Sequence, residues 1–161
     1  MKVSELFTLT VARSKSADDY DDGPIPFVTN TRLNNGVTKY VEPLPEDKQF
    51  PGHAICISGL GFATVQHDAF LPKGNGGDSA TILRPIQEMT TEALIYYAAL
   101  FNSLHRWRFS FGRKASKKRI TDLELTPLFV DSPVNAETTL EVFSTALKAR
   151  VEQYEGQFLV P

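Results

Sequence analysis

The sequence has little cysteine and no long apolar run, and each absence excludes classes of protein. Its 161 residues contain one cysteine, Cys56, so it has neither an internal disulfide nor a cysteine framework for zinc. No stretch approaches the roughly 18 apolar residues that cross a bilayer. The opening residues, MKVSELFTLT, lack the apolar core and cleavage site of a signal peptide. With 42% hydrophobic and 22% charged residues, the chain is predicted to be soluble, folded and cytoplasmic, without a structural metal.

Motifs of enzymes are also absent. The glycine-rich stretch at residues 73–79, KGNGGDS, does not have the order of a phosphate-binding loop, and no GxGxxG or GxSxG motif occurs. The Pro-Pro-Tyr motif of adenine methyltransferases and the acidic motif of restriction nucleases are missing as well. The three histidines, His53, His67 and His105, occur singly, which is more typical of structural histidines. These absences predict a binding protein rather than an enzyme, with no catalytic residue, metal ligand or cofactor.

The charge of the chain is unevenly distributed. Residues 105–121, the basic segment, contain no acidic residue and seven cations: Arg106, Arg108, Arg113, Lys114, Lys117, Lys118 and Arg119. The chain has 17 basic and 19 acidic residues, so the rest of it has ten basic against 19 acidic, a balance of −9. An acidic body with one strongly basic segment predicts an anionic partner there. Nucleic acid is favoured over a solvated helix end because aromatic residues are interleaved with the cations.

Local patterns predict an α+β fold in which an irregular, mixed β-sheet carries one packed helix and is followed by a C-terminal helix. Short apolar and β-branched runs between turn residues predict the strands, which cover residues 3–11 (in part a turn), 25–29, 37–41, 54–58, 62–65, 80–84 and 123–128. Pro26 predicts that the second strand lies at a sheet edge. The dipeptide Asn35-Gly36 predicts a hairpin-type turn, because both residues tolerate positive φ.

Helical periodicity appears only in the second half of the chain. Thr90 to Glu92 has N-cap character, and a helix is predicted over residues 93–104. Five apolar residues form one face of it: Leu94, Tyr97, Ala98, Phe101 and Leu104. A second helix is predicted over Thr138 to Gln153. We therefore expect one domain over residues 1–130 and a helical segment over residues 131–161.

The aromatic residues of the basic segment are predicted to belong to the core rather than to stack on bases. Phe109 and Phe111 alternate with Arg108 and Ser110, as in a half-buried strand. Trp107 is likewise predicted to lie in the core, because large aromatic side chains are mostly buried.

Candidate DNA contacts follow from side-chain chemistry, since Lys and Arg bind phosphates whereas Asn, Gln, Arg and Ser read base edges. The candidates for base reading lie in two loops: Asn30, Arg32, Asn34, Lys73 and Asn75. An ordinary turn explains these loops about equally well, and Asn35 is better explained by its backbone conformation. The other candidate contacts lie in the basic segment: Arg108, Arg113, Lys114, Ser116, Lys117 and Lys118.

Six stretches of the chain occur in an order that resembles a known family. They are VSELF, GPIPFVTNTRLNNGVTKYVE, HAICISGLGFATV, SATILRP, the helix TTEALIYYAALFNSL and the basic FSFGRKASKKRITDLELTP. Over residues 1 to about 128, this order resembles one target recognition domain of the specificity subunits of type I restriction-modification systems. Single-chain enzymes and related two-subunit systems contain the same domain.

The resemblance implies a mixed α/β DNA-binding domain that reads one half of a split target and does not itself catalyse a reaction. It implies two partners, double-stranded DNA and a DNA methyltransferase subunit, and in some systems a nuclease or translocase subunit. It assigns base reading to the loop candidates and phosphate contacts to the cations from Arg113 to Lys118. The helix at Thr138 to Gln153 would space two domains and dock the methyltransferase.

Two features depart from the family pattern. A full specificity subunit has two recognition domains and two such helices, whereas this chain has at most one of each. The usual P-x-x-E-Q start of the helix is replaced by PLFVD at residues 127–131. We therefore expect a half-size subunit that acts as a homodimer, a recognition subunit of another restriction class, or a fragment.

Two other classes of function stay open on the sequence alone. A protein-interaction or scaffold module would dock an acidic partner through the basic segment and would not bind DNA. An enzyme for a small anionic substrate would use the glycine-rich loops with His53 or His67, and would need a pocket in which those side chains converge.

Overall fold

A computed structural model describes residues 1–75 and 78–128, together with positions 144, 145 and 148. The chain divides into two units between Thr126 and Pro127. The predicted C-terminal helix lies outside the described residues except at Ser144, Thr145 and Lys148, which are helical and exposed.

The first unit combines short strands with one longer helix. Its described strands are β1 (Phe7–Val11), β2 (Asp22–Val28), β3 (Val37–Val41), β4 (Ala54–Ile57), β5 (Ala63–Gln66), β6 (Leu71–Pro72) and β7 (Thr81–Pro85). Its described α-helices are α1 (Val3–Leu6), α2 (Thr91–Leu104) and α3 (Lys117–Ile120). Single 3-10 turns lie at Ala17–Asp19, Asn34–Gly36 and Arg106–Arg108. The α+β prediction is confirmed; the two-residue β6 and the short α1 and α3 were not predicted.

Four strands form an antiparallel sheet in the order β1-β7-β4-β5. Every residue of β4 is buried, as its continuous apolar run requires, and α2 packs against β4 and β5. The side chain of Thr90 accepts a hydrogen bond from the Ala93 N–H at 3.2 Å, which caps the helix and starts it two residues before the predicted position. The predicted apolar face of α2 is buried except for Leu104, which is exposed at the last position.

A smaller sheet has the order β3-β2-β6, with β3 antiparallel and β6 parallel to β2. Its buried side chains form a separate cluster: Tyr20, Phe27, Val41 and Leu71. The prediction that Pro26 marks a sheet edge is wrong, because β2 is the middle strand. The proline is tolerated because β6 pairs only with Phe27 and Val28, so the ladder on that side does not reach Pro26.

The predicted last strand, at residues 123–128, is also wrong. The Met1 amino group donates to the Leu125 carbonyl at 3.0 Å, and the Leu125 N–H donates back to Met1 at 2.8 Å. A single bridge joins Lys2 to Glu124. Pairing stops there because the partner segment, the start of the chain, turns into α1.

The start of the chain was predicted either as a strand from residue 3 or as a turn followed by a strand. The second alternative is the observed one, with a helical turn before the strand. The Lys2 N–H donates to the Glu5 carboxylate at 2.6 Å, which stabilises the first turn of α1. β1 therefore begins only at Phe7.

Candidate nucleic-acid interface

The turn at residues 58–62 is the place where several segments of the chain meet. Gly61 has a φ of +79°, and a Cβ at this position would lie 2.4 Å from Cδ2 of Phe109. Glycine is therefore required for the Phe109 ring to pack on the turn. Phe109 is buried and stacks on an aromatic ring of α2. Because the Ala115 N–H also donates to the Gly59 carbonyl at 2.8 Å, the basic segment is fixed to the turn at two points.

Phe62, at the end of this turn, lies close to cations of two different segments. Cζ of Arg32 is 5.9 Å from the centroid of the Phe62 ring, and Cζ of Arg106 is 5.7 Å from it. Both distances are within the range of cation–π contacts. The predicted base-reading turn, which contains Arg32, and the basic segment, which contains Arg106, therefore share one surface.

Asp78 brings two further cations to the same turn. Its carboxylate is 3.4 Å from Nζ of Lys73 and also binds Nζ of Lys114. The Lys114 hydrogen bond is the main cause that holds the pKa of Asp78 below its usual value, and it outweighs the opposing effect of burial. Cα of Asp78 lies 3.0 Å from the position that a Cβ on Gly59 would occupy. Four cations from three segments thus surround the turn and form what we term the basic cluster: Arg32, Lys73, Arg106 and Lys114.

Beyond the basic cluster, the basic segment presents cations to solvent. Arg108, Arg113, Lys117 and Lys118 are exposed. Among residues 1–75 and 78–128, no carboxylate lies within ion-pair distance of any of them. The two lysines begin α3, and the buried side chain of Ile120 anchors that helix. Within the described part of the chain, these cations are therefore open to an anionic ligand.

The asparagines of the turn after β2 differ in what they can offer a ligand. Nδ2 of Asn35 donates to the Val65 carbonyl at 2.7 Å, and its φ is +52°, so it fixes the turn to β5 as its predicted backbone role requires. Asn34 is exposed and makes only a long bond, 3.4 Å, to the Val37 carbonyl. Oδ1 of Asn30 is buried and has no hydrogen-bond partner in the described structure, so this atom is not accessible to a base edge.

Two other predicted contacts, Asn75 and Ser116, make hydrogen bonds within the chain. Nδ2 of Asn75 donates to Oγ of Ser16 at 2.5 Å, which ties the glycine-rich loop to the loop before β2. Ser116 is exposed and precedes α3, where its carbonyl accepts the N–H of Arg119 at 2.9 Å. The structure therefore brings Arg32, Lys73 and Lys114 together, whereas the side chain of Asn75 bonds to another loop and Ser116 bonds through its backbone to Lys114 and to α3.

In the cavity that the described residues form, the side chains needed by an enzyme for a small anion do not come together. A shallow cavity of about 280 Å³ is lined by His53 and Arg84, together with residues of β1 and β7, but not by His67 or the glycine-rich loop. No group of three metal-ligating side chains occurs among the residues that the structure describes. Burial raises the pKa of the Cys56 thiol to about 12, so this cysteine stays protonated at neutral pH. Nor does the described part of the chain contain a helix long and apolar enough to cross a membrane.

Comparison with protein families decides the class. The model of the type I restriction modification DNA specificity domain matches residues 1–127, and this match includes the turn, the basic cluster and the basic segment. The chain belongs to this family. The family is described as a DNA specificity domain of type I restriction-modification systems, so the predicted membership of this specificity family is confirmed.

Solved structures of type I systems share the fold of this specificity domain. A chain from a type I restriction-modification system, solved for its complex assembly and conformational transition, matches with a TM-score of 0.61 and 17% identity, over 98% of this chain and 40% of that one. The S subunit from M. genitalium matches with a TM-score of 0.56 and 15% identity, over 98% and 40% of the two chains. The HsdS subunit from Thermoanaerobacter tengcongensis matches with a TM-score of 0.54 and 17% identity, over 76% of this chain and 31% of that one.

The whole chain thus spans about 40% of the length of the first two solved chains. No curated protein matches it by sequence.

The burial of two aromatic residues of the specificity domain was wrongly predicted. Phe109 is buried as predicted, but Trp107 is 74% exposed and Phe111 is 82% exposed. The alternation of a strand does not continue through Phe111, because Ser110 and Arg113 are joined by a bridge that closes a tight turn. The glycine after Phe111 was the sequence signal for that turn.

Arg106 was counted in the basic segment but was not predicted as a contact residue. Its position beside Phe62 depends on the meeting of the basic segment with the turn at residues 58–62. No local pattern in the sequence indicates that meeting, since the two segments are far apart along the chain.

Proposed function

We propose that this specificity domain recognises a specific sequence of double-stranded DNA and directs a DNA methyltransferase subunit to it. The observation that carries the proposal is the basic cluster, in which three separate segments bring cations to one turn beside the exposed cations of the basic segment. Duplex DNA has one negative charge per roughly 1.7 Å of helix axis, so a surface of this composition is complementary to it.

The two groups of cations differ in how they are held, and this supports a division of labour. Arg113, Lys117 and Lys118 are exposed and free of carboxylates in the described structure, which suits contacts to phosphates of any sequence. Arg32 is exposed but held beside the Phe62 ring, and a positioned guanidinium suits a bidentate contact to guanine. Asn34, exposed in the same turn, is the second base-reading candidate.

The loop lysines have a mixed role in this proposal. Lys73 and Lys114 share the carboxylate of Asp78, so the three groups together contribute a single positive charge at the interface. Their ion pairs hold the glycine-rich loop against the basic segment. Of the other predicted contacts, Arg108 adds a phosphate contact, while Asn75 and Ser116 support the loops that carry the contacting residues and Asn30 lies in the turn that carries Arg32.

The predicted partners follow from the same proposal. A DNA methyltransferase subunit would perform the modification, and a nuclease or translocase subunit would join it in a restriction complex. A split DNA target has two halves, and we propose that a second copy of this chain reads the second half in a homodimer. We propose that the protein is located in the cytoplasm, where it would encounter DNA and these partners.

The proposal predicts two distinguishable variant phenotypes. Selection from a random duplex library, with the methyltransferase subunit present, should give one enriched motif for the unchanged chain. Arg32→Ala should relax that motif at one position and cost about 1–3 kcal/mol at that base pair. Lys117→Ala should keep the motif and weaken binding to all sequences alike, because a phosphate contact carries no sequence information.

Two outcomes oppose the proposal. Absence of duplex binding at low salt, both for the chain alone and for its methyltransferase complex, would exclude DNA recognition. Co-purification of an acidic protein on the basic segment, together with that absence, would favour an interaction module instead.

A further inference from the structure

Phe111 has an unusual position for a large apolar side chain. It is 82% exposed, more than any other large hydrophobic residue among those that the structure describes. A single exposed apolar residue is not remarkable by itself, since much of a protein surface is apolar. The backbone that holds Phe111 and the charges around it indicate that this side chain contacts a ligand.

The backbone around Phe111 is a closed two-residue turn. The Ser110 N–H donates to the Arg113 carbonyl at 3.0 Å, and the Arg113 N–H donates to the Ser110 carbonyl at 3.1 Å. Phe111 and Gly112 form the tip, and a Cβ on Gly112 would have no atom within 4 Å. The tip therefore stands clear of the body of the domain.

The base of this turn is fixed on both sides. Phe109 is buried against the turn at residues 58–62 on one side. On the other side, the Ala115 N–H donates to the Gly59 carbonyl at 2.8 Å, and Ala115 is itself buried. A short turn with two fixed ends holds the backbone of Phe111 in place, so little backbone entropy is lost when the ring binds.

The surroundings of the ring are cationic. Nζ of Lys114 lies 4.6 Å from the centroid of the Phe111 ring, and Arg113 is exposed next to it. The whole basic segment lacks an acidic residue. Lys114 is already paired with Asp78, so a protein pocket for Phe111 would have to bring a carboxylate to Arg113 as well as an apolar cavity to the ring. A base-pair step offers an anion and an apolar surface at once, because the flat apolar faces of the bases lie between two lines of phosphates.

We propose that Phe111 is a wedge that enters between two neighbouring base pairs of the bound duplex and unstacks them, while the exposed Arg113 binds a flanking phosphate. The proposal rests on the DNA recognition proposed above. Apolar wedges of this kind kink a duplex by about 20–90°. The energy of the kink depends on the step, and pyrimidine–purine steps deform most readily, so the wedge would add sequence preference at a step without any hydrogen bond to a base.

The test uses the full chain with its methyltransferase subunit and the selected duplex. The duplex has 2-aminopurine at successive positions and a pair of dyes at its ends. The unchanged chain should raise 2-aminopurine fluorescence at one step and raise energy transfer between the ends. Phe111→Ala should lose both signals and bind about tenfold more weakly, with the same salt dependence, because no charge is removed. Phe111→Trp should keep both signals.

A matched control is Tyr40→Ala, which removes an exposed aromatic side chain of β3, outside the basic segment. It should behave as the unchanged chain, and all variants should melt at the same temperature because these rings are exposed. The wedge is ruled out if Phe111→Ala binds the duplex and gives both signals undiminished. It is also ruled out if Phe111→Ala leaves the DNA signals intact and instead releases the methyltransferase subunit. Failure of the unchanged chain to bind any duplex would overturn the proposed function itself, and is thereby distinguished from failure of the wedge.

Discussion

Replacing Arg113, Lys117 and Lys118 with alanine should lower affinity for duplex DNA about 500-fold at 0.1 M salt. Each phosphate contact releases counterions and contributes about 0.9 to the slope of log affinity against log salt. Three lost contacts should therefore make the slope shallower by about 2.7, and the effect on affinity should disappear near 1 M salt. The measurement is a titration of labelled duplex at several salt concentrations. Stability should be nearly unchanged because all three side chains are exposed.

A variant with the same change of composition and charge provides the control. Arg84, Lys15 and Lys48 are exposed, lie outside the basic segment, and again comprise one arginine and two lysines. If their replacement lowers the affinity and the salt slope as much as the first variant does, then only the overall charge matters. In that case the basic segment would have no special part in binding.

Gly61→Ala should destabilise the domain by about 2–4 kcal/mol. The new Cβ would lie 2.4 Å from Cδ2 of Phe109, and the φ of +79° is unfavourable for alanine. Both effects act where the basic segment is anchored, so the folded fraction should also bind duplex more weakly. Denaturant unfolding followed by circular dichroism measures the first effect, and DNA titration below the midpoint measures the second.

Gly112→Ala is the internal control for this prediction. It makes the same chemical change at a position where a Cβ would have no atom within 4 Å, so its effect should stay within about 0.5 kcal/mol. Equal destabilisation by the two substitutions would mean that neither the positive φ of Gly61 nor the packing of Phe109 on it determines the result.

Features of the structure could be predicted from the sequence where the residues that form them are close together along the chain. The basic segment could be recognised because its cations follow one another, and α2 because its apolar residues recur at helical spacing. The basic cluster could not be predicted, since Arg32 and Lys73 reach the same turn only through the pairing of distant strands. The pairing of Lys73 and Lys114 with one carboxylate, Asp78, depends on the same tertiary arrangement.

The wrong predictions have equally specific causes. The strand at residues 123–128 would have needed a long partner, and its partner is only the first few residues of the chain. Phe111 fits the alternation of a strand, but a tight turn reverses the chain there and turns the ring to solvent. In both cases the local sequence pattern is typical of a strand but, among the residues that the structure describes, the neighbouring segment that a strand would pair with or pack on is missing there.

The central claim is that duplex DNA lies on the basic segment, and modification of lysines tests it most directly. The chain is treated with an amine-reactive reagent with and without a saturating amount of selected duplex, and each lysine is quantified by mass spectrometry. Bound DNA should protect Lys117 and Lys118 severalfold and leave Lys15 and Lys48 as reactive as before. Unchanged reactivity of Lys117 and Lys118 in a sample where the duplex is bound would contradict the claim.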